Sequence, residues 1–208
     1  GDPDADNISD RFGNRVEISN RLASQSGLSA PGSSDIEGFG GADGYGPSSQ
    51  EVVIPAFVAA YSGQSPEEVA LDIESYTIFD AIRNPNWTIN YDGLAKIPAL
   101  RKWFRNITIG HAYRSVFSVN NFTTNLAAGT SIDGTPVRDN SEERNFIPER
   151  QIQAISISEQ LSPLIRFDIT WQNSLITNFE INKNRILAFS TTNFQLTENR
   201  SDEFVIGL

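Results

Sequence analysis

The stretch LIRFDITWQNSLITNFEINKNRILAFSTTNF, residues 164–194, alternates apolar and polar side chains. Successive residues of a β-strand point to opposite faces of a sheet, so a period of two predicts strands with one apolar and one polar face. The pair Lys183-Asn184 predicts a turn before a third run, 185–193. The apolar positions that we expect to face lipid or a partner protein are Ile165, Phe167, Ile169, Trp171, Leu175, Phe179 and Ile181.

The runs in this stretch are longer than most strands of globular proteins. Tight polar turns between runs of about nine or ten residues predict an antiparallel, up-and-down arrangement. Globular strands peak at about five or six residues, whereas about nine to eleven tilted residues cross a bilayer. We therefore predict an all-β fold whose antiparallel strands form part of a transmembrane β-barrel, with short helices in the connections. Because a closed barrel needs about eight strands and five or six are recognisable, we expect the remaining strands elsewhere.

Composition narrows the classes of function. The formal net charge of -10 argues against a nucleic-acid partner, because phosphate binding requires clustered Lys and Arg. The 208 residues include no Cys, which excludes disulfides and thiolate metal sites. No apolar run of about eighteen residues occurs, so the sequence predicts no transmembrane helix.

The amino-acid composition changes near residue 50. Residues 1–50 are rich in Gly, Ser and Asp and are interpreted as a loop or linker, with a strand or short helix around Ile18 and Leu22 as the alternative. Residues 51–208 are interpreted as part of the barrel. The opening GDPDADN and an ending within a strand pattern lead us to expect a fragment of a longer chain.

Two features of residues 51–72 predict local structure. The apolar block from Val52 to Tyr61 contains Pro55, which suits a central strand poorly, so we expect the block to pack inside or beneath the sheet. The sequence Ser65-Pro66-Glu67-Glu68 matches a capping box, which predicts a short helix from Pro66 to about Asp72.

Aromatic residues flank the segment 75–106. A strand is predicted over 75–91, interrupted at Asn84-Pro85, and an amphipathic helical element over 92–106. We expect Trp87, Tyr91 and Trp103 to anchor a membrane-water interface, where amphipathic rings keep one edge wet. The alternatives are an ordinary half-buried strand and a helical turn that closes one end of a sheet.

The rest of the chain predicts further strands separated by unequal loops. Strands are predicted over 107–119, 151–159 and 195–208, and a long polar loop within 120–149; Ser162-Pro163 is predicted to interrupt the chain between the strand 151–159 and the stretch that begins at Leu164. His111 is the only histidine and lies among the apolar positions of its strand. No motif for a catalytic, cofactor or metal site occurs, so the sequence predicts no enzyme, no cofactor and no metal.

Several ordered segments resemble one protein family. They cover most of residues 51–208 and are IPAFVAAYSGQSP at 54–66, PNWTINYDGL at 85–94, HAYRSVFSV at 111–119, ISISEQLSPLIRFDITWQNSL at 155–175 and QLTENRSDEFVIGL at 195–208. They resemble the C-terminal part of the SprA/Sov proteins, the outer-membrane translocons of the type IX secretion system in Bacteroidetes-type bacteria.

The resemblance implies a very large single-chain barrel with an aqueous lumen, located in the cell outer membrane. It implies export of folded cargo and of gliding adhesins, with a partner barrel at a lateral gate, a periplasmic plug protein, the lipid bilayer and the remainder of the same barrel as partners. The alternative is a soluble β-sandwich or adhesin-like binding module, in which the same apolar face packs on a second sheet.

Overall fold

The fold is seen in a computed structural model, which describes residues 14–62, 64–71 and 86–208. Five strands form one mostly antiparallel sheet in the order β1-β2-β3-β4-β5. They are β1 (Trp87–Tyr91), β2 (Phe104–Thr124), β3 (Arg150–Trp171), β4 (Ile176–Ser190) and β5 (Leu196–Gly207). The described strands do not close into a barrel, since β1 and β5 lie at opposite edges of the sheet.

Helices are few and short. They are α1 (Arg15–Ser26), α2 (Gln50–Ser62), a 3-10 helix (Gly93–Lys96) and α3 (Pro98–Arg101). No helix in the described part of the chain is long and apolar enough to cross a membrane. The predicted all-β fold class, with antiparallel strands and few short helices, is confirmed.

The chain groups into two compact units. The helical unit comprises the described residues of Gly1–Arg83 together with Val119–Ala154 and Phe189–Gln195. The sheet unit comprises the described residues of Asn84–Ser118 together with Ile155–Ala188 and Leu196–Leu208. The strands β2, β3 and β4 contribute residues to both units.

Two predicted interruptions of the strands are wrong. The dipeptide Ser162-Pro163 lies within β3, which runs without a break for 22 residues. Lys183-Asn184 likewise lies within β4 and forms no turn. The reversal occurs at Trp171–Leu175, where Ser174 adopts a φ of 67° and the Trp171 N–H bonds the Leu175 carbonyl at 2.9 Å. Leu175, predicted as a strand position, belongs to this turn.

The helical unit has its core around α2. Every described residue from Val52 to Ala60 is buried, and the ring of Phe57 stacks on that of Phe189 with centroids 5.4 Å apart. The expectation that this apolar block packs inside is confirmed, and the block is a helix. A helix that is apolar all round can exist in water only when other parts of the protein cover every side of it.

One alternative for the helical unit is confirmed and one prediction is wrong. Around Ile18 and Leu22, the short helix that was an alternative to a loop forms as α1, where Ile18 and Ala23 are fully buried and the Ser19 hydroxyl donates to the Tyr45 carbonyl at 2.6 Å. The capping box makes only one turn, since Glu68 and Val69 bond back to Ser65 and no helix follows within the described residues. The predicted strand over 75–85 lies outside the described residues.

The long polar loop is confirmed between β2 and β3. Its buried Asn145 accepts a bond from the Gly46 N–H at 2.6 Å and donates to Glu143 at 3.0 Å. Glu143 in turn accepts from the Ser48 N–H at 3.0 Å. These bonds hold the loop to the chain that precedes α2.

Candidate functional site

Cross-strand contacts sort the side chains of the sheet unit onto two faces. On one face Trp87 stands opposite Tyr113, and the Tyr113 hydroxyl donates to Glu159 at 2.9 Å. On the other face Arg166 lies 3.9 Å from Glu180. The pairs Trp87–Tyr113, Tyr113–Glu159 and Arg166–Glu180 follow strand alternation, so each face continues from one strand to the next.

The first face carries a continuous group of apolar side chains that we call the apolar zone. Most are half-buried, Ile107 is buried at 6% exposure, and those on the edge strands are strongly exposed, with Phe204 at 66% and Ile206 at 73%. Within the described residues, no second sheet packs on them. The zone consists of Ile89 and Tyr91 on β1, Ile107 and Ile109 on β2, Ile165, Phe167, Ile169 and Trp171 on β3, Phe179 and Ile181 on β4, and Phe204 and Ile206 on β5.

The structure therefore brings together six of the seven apolar positions predicted as lipid-facing or partner-facing. Ile165, Phe167, Ile169 and Trp171 follow one another on β3, and Phe179 and Ile181 lie on the adjacent strand. Leu175 sits in the turn and is 45% exposed. What the six residues face remains a prediction.

The opposite face of the same strands is polar. Arg166 pairs with Asp168 at 2.8 Å, and the Asn182 amide donates to Glu203 at 3.1 Å. Asn178 also lies on this face, where its amide oxygen approaches Gly207 so closely that a Cβ there would be 1.9 Å away. The two faces of one sheet thus suit two different surroundings.

A row of charged side chains crosses the first face at one end of the apolar zone; we call it the charged ladder. It contains Tyr113, Glu159, Arg185, Glu198 and Arg200, one or two from each of β2 to β5. Arg185 lies 3.8 Å from Glu159 and 2.5 Å from Glu198, and Arg200 lies 2.6 Å from Glu198. Each carboxylate of the ladder thereby has a cation beside it.

Beyond the charged ladder, the same face is apolar again but buried. Ile155, Ile157 and Leu187 are fully buried, and Phe117 is 7% exposed. One face of the sheet unit thus passes along its strands from half-exposed apolar, through charged, to buried apolar. Sequence reasoning missed the ladder because its members lie far apart in the chain and meet only through the strand register.

The three predicted interface anchors lie at different levels of the sheet. Trp87 stacks on Tyr113 at the charged ladder, with ring centroids 4.6 Å apart. Trp103 is 67% exposed at the other end, where its carbonyl accepts from the Gln172 N–H at 3.2 Å. Tyr91 stands opposite Ile109, between the two. Near Trp103, the Trp171 indole donates to Thr177 at 3.0 Å.

Groups that could support catalysis do not converge in the described part of the chain. No three His, Asp or Glu side chains there lie close enough to hold a metal ion. His111 Nδ1 lies 2.6 Å from the Leu164 carbonyl oxygen, beside the apolar zone. In the helical unit, a cavity of about 610 Å³ is lined by Tyr45 and Glu51, and burial raises the pKa of each.

Comparison with known proteins leaves the family open. No known family model matches the sequence, and no curated protein does.

Proposed function

We propose that this chain forms part of the wall of a protein-conducting channel, the outer-membrane translocon of the type IX secretion system in Bacteroidetes-type bacteria. Its strands belong to a very large transmembrane β-barrel. The apolar zone contacts lipid or a partner barrel, and the polar face lines a water-filled lumen. The channel exports folded cargo proteins and gliding adhesins.

One observation carries this proposal: long antiparallel strands bear a continuous, uncovered apolar zone on one face and paired charges on the other. Water on both faces would leave the apolar zone solvated across five strands, a contiguous patch of a kind that soluble monomers rarely expose. Lipid on one face and water on the other matches the dyad alternation of membrane barrels. The family assignment comes from the sequence resemblance, which the fold is consistent with.

The open edges support a wall that continues beyond the described strands. All residues of β1 are exposed, and so are Thr197–Ile206 of β5. Edge strands present unpaired backbone groups that must be paired, covered or protected. Pairing with the remainder of the same barrel meets this need, and the partner barrel at the lateral gate and the periplasmic plug protein complete the assembly.

Transport in this proposal is steric. The chain provides a surface and a pathway, and no side chain reacts with the cargo. On the polar face Arg166 is paired with Asp168, which weakens the attraction of both charges for a passing protein.

Two adjacent substitutions on β3 test the proposal in the intact protein. Ile169→Arg places a cation in the apolar zone, and Thr170→Arg places the same cation on the polar face one residue away. We expect Ile169→Arg to abolish assembly in the outer membrane and export of type IX cargo, because a charge on the lipid face is costly. Thr170→Arg should retain both.

The rival soluble β-sandwich or adhesin-like module predicts a different result. It requires the apolar zone to be covered by protein, so the intact wild-type protein would be monodisperse in buffer without detergent. Recovery of folded protein in that form, or equal assembly of the two arginine variants in membranes, would exclude the channel.

A further inference from the structure

The charged ladder divides one face of the sheet into two apolar regions whose side chains differ in burial. On the Trp171 side, the residues of the apolar zone are half-buried or exposed, apart from the buried Ile107; on the other side, Ile155, Ile157 and Leu187 are fully buried. Burial of this face therefore differs between the two sides of the ladder. Because the burial of the apolar side chains changes at this row of charges, the surroundings of the face change there as well.

We infer that the charged ladder lies at the level of the lipid headgroups and marks where the hydrocarbon of the bilayer ends on β2 to β5. The opposite boundary lies at the end of the sheet that carries Trp103 and Trp171. This inference rests on the proposed membrane location, and it assigns which part of each long strand contacts lipid.

On β3, the spacing of the two boundaries is close to the thickness of a membrane; on β4 the ladder residue Arg185 is only nine residues from the strand's first residue, Ile176. From Glu159 to Trp171 the strand β3 advances about twelve residues, which is roughly 40 Å at about 3.3 Å per residue. With a tilt of about 45°, this length spans roughly 28 Å along the membrane normal, close to the about 25 Å apolar band of outer-membrane barrels. The 22 residues of β3 exceed this length, so residues before Glu159 lie outside the hydrocarbon.

The bonds within the charged ladder suit an interface. Glu159 accepts from Tyr113 and faces Arg185, while Glu198 lies between Arg185 and Arg200. A charge on the lipid face of a barrel destabilises it strongly at mid-membrane and only weakly near the interface. Paired charges that project from the uncovered face are therefore tolerated at the headgroup level and disfavoured deeper.

Aromatic rings occur at both boundaries. Trp87 stacks on Tyr113 at the ladder, and Trp171 donates its indole N–H to Thr177 at the other end. Trp and Tyr are enriched at both interfaces of a membrane because their rings are apolar and their N–H or O–H groups bond polar partners. The aromatic rings therefore lie at the same two positions along the strands as the two boundaries inferred from the charges and from the burial of the side chains.

Depth measurements in the membrane test the inference directly. The chain has no Cys, so single cysteines can carry a bimane fluorophore without background labelling. The variants Phe179→Cys and Lys183→Cys lie four residues apart on the same face of β4, with Phe179 in the apolar zone and the exposed Lys183 next to the ladder. Thr170→Cys, on the polar face, is the control. The probes are vesicles of phosphatidylcholine brominated at mid-chain, and vesicles that carry a headgroup spin label.

In the intact protein, we expect mid-chain bromines to quench the label at Phe179→Cys several-fold more than at Lys183→Cys, and headgroup spin labels to show the reverse order. Thr170→Cys should resist mid-chain bromines. Equal mid-chain quenching at Phe179→Cys and Lys183→Cys would overturn the boundary while leaving the membrane location intact. Absence of quenching at both positions would overturn the proposed function itself.

Discussion

The helical unit and the sheet unit use apolar side chains in opposite ways. In the helical unit, α2 is covered on all sides, and Phe57 is 0% exposed. In the sheet unit, the apolar zone is only half-buried within the described residues, and Phe204 is 66% exposed. The first region has its own hydrophobic core, whereas the second has an apolar surface that suits a partner. Mutations should therefore affect stability in water in the first region and assembly in the second.

The largest effect is expected in the core of the helical unit. Phe57→Ala removes a fully buried ring that stacks on Phe189, which should lower the free energy of unfolding by about 3–5 kcal/mol. Denaturant titration followed by circular dichroism measures it. Ile132→Ala, at a fully exposed loop position of the same unit, is the control and should change nothing. A loss below about 1 kcal/mol for Phe57→Ala would contradict a self-contained core.

The next effect concerns the apolar zone. Phe167→Arg should destabilise the protein folded in lipid vesicles by about 2–4 kcal/mol, because the charge then faces hydrocarbon. Asp168→Asn on the opposite face loses only the exposed pair with Arg166 and should cost less than about 1 kcal/mol. Urea titrations of vesicle-bound protein measure both variants. Equal costs would mean that the two faces of β3 meet the same surroundings.

A smaller effect is expected where the long loop joins the helical unit. Asn145→Ala leaves the Gly46 N–H without its acceptor in a buried position, which should cost about 1–3 kcal/mol. Asn140→Ala, exposed in the same loop, is the matched control. If the two variants unfold at the same denaturant concentration, the loop does not contribute to the closed core.

The smallest effect depends on pH. The Arg138 guanidinium lies 2.7 Å from Asp43 and lowers the pKa of that carboxyl below 3.8. Because the pKa is lower in the folded state, the pair stabilises the helical unit above pH 3.8, and this contribution disappears as the pH falls through the lowered value. Both side chains are partly exposed, so Asp43→Asn should cost less than about 1 kcal/mol at pH 7.

A double-mutant cycle separates this pair from other effects. In an Arg138→Gln background, Asp43→Asn should have a smaller effect at pH 7 than in the wild type, and in the wild type its effect should decrease between pH 7 and pH 2. Arg138 also lies over the ring of Phe146, with its guanidinium carbon 4.6 Å from the centroid, so Arg138→Gln alone should cost more than Asp43→Asn. Thermal unfolding of the wild type, the two single variants and the double variant at both pH values measures these differences in stability.

The sequence predicted the faces of the strands better than their ends. Alternation from Ile165 to Trp171 depends only on the period of a strand, and the structure follows it. Ser162-Pro163 and Lys183-Asn184 resembled turns locally, but pairing with neighbouring strands keeps both segments extended. The helix α1 was predicted only as one of two alternatives to a loop because its few apolar residues gave a weak helical pattern, and contacts with distant residues such as Tyr45 stabilise it.

The candidate site was predictable in part for the same reason. The apolar positions of β3 and β4 follow from periodicity, which a single segment reveals. The charged ladder joins Glu159 with Arg185 and Glu198 through the register of three strands, and no local pattern specifies that register. Charge pairs across strands become visible only once the sheet is known.

The strand β5 also has a consequence for handling the isolated protein. It is twelve residues long and pairs only with β4 among the described strands, and such a strand can template fibril-like stacking of identical molecules. Glu198, Arg200, Asp202 and Glu203 interrupt it with charges that repel in-register copies. Concentrated samples should therefore stay clear longest in low salt near neutral pH, and acidification should cloud them first.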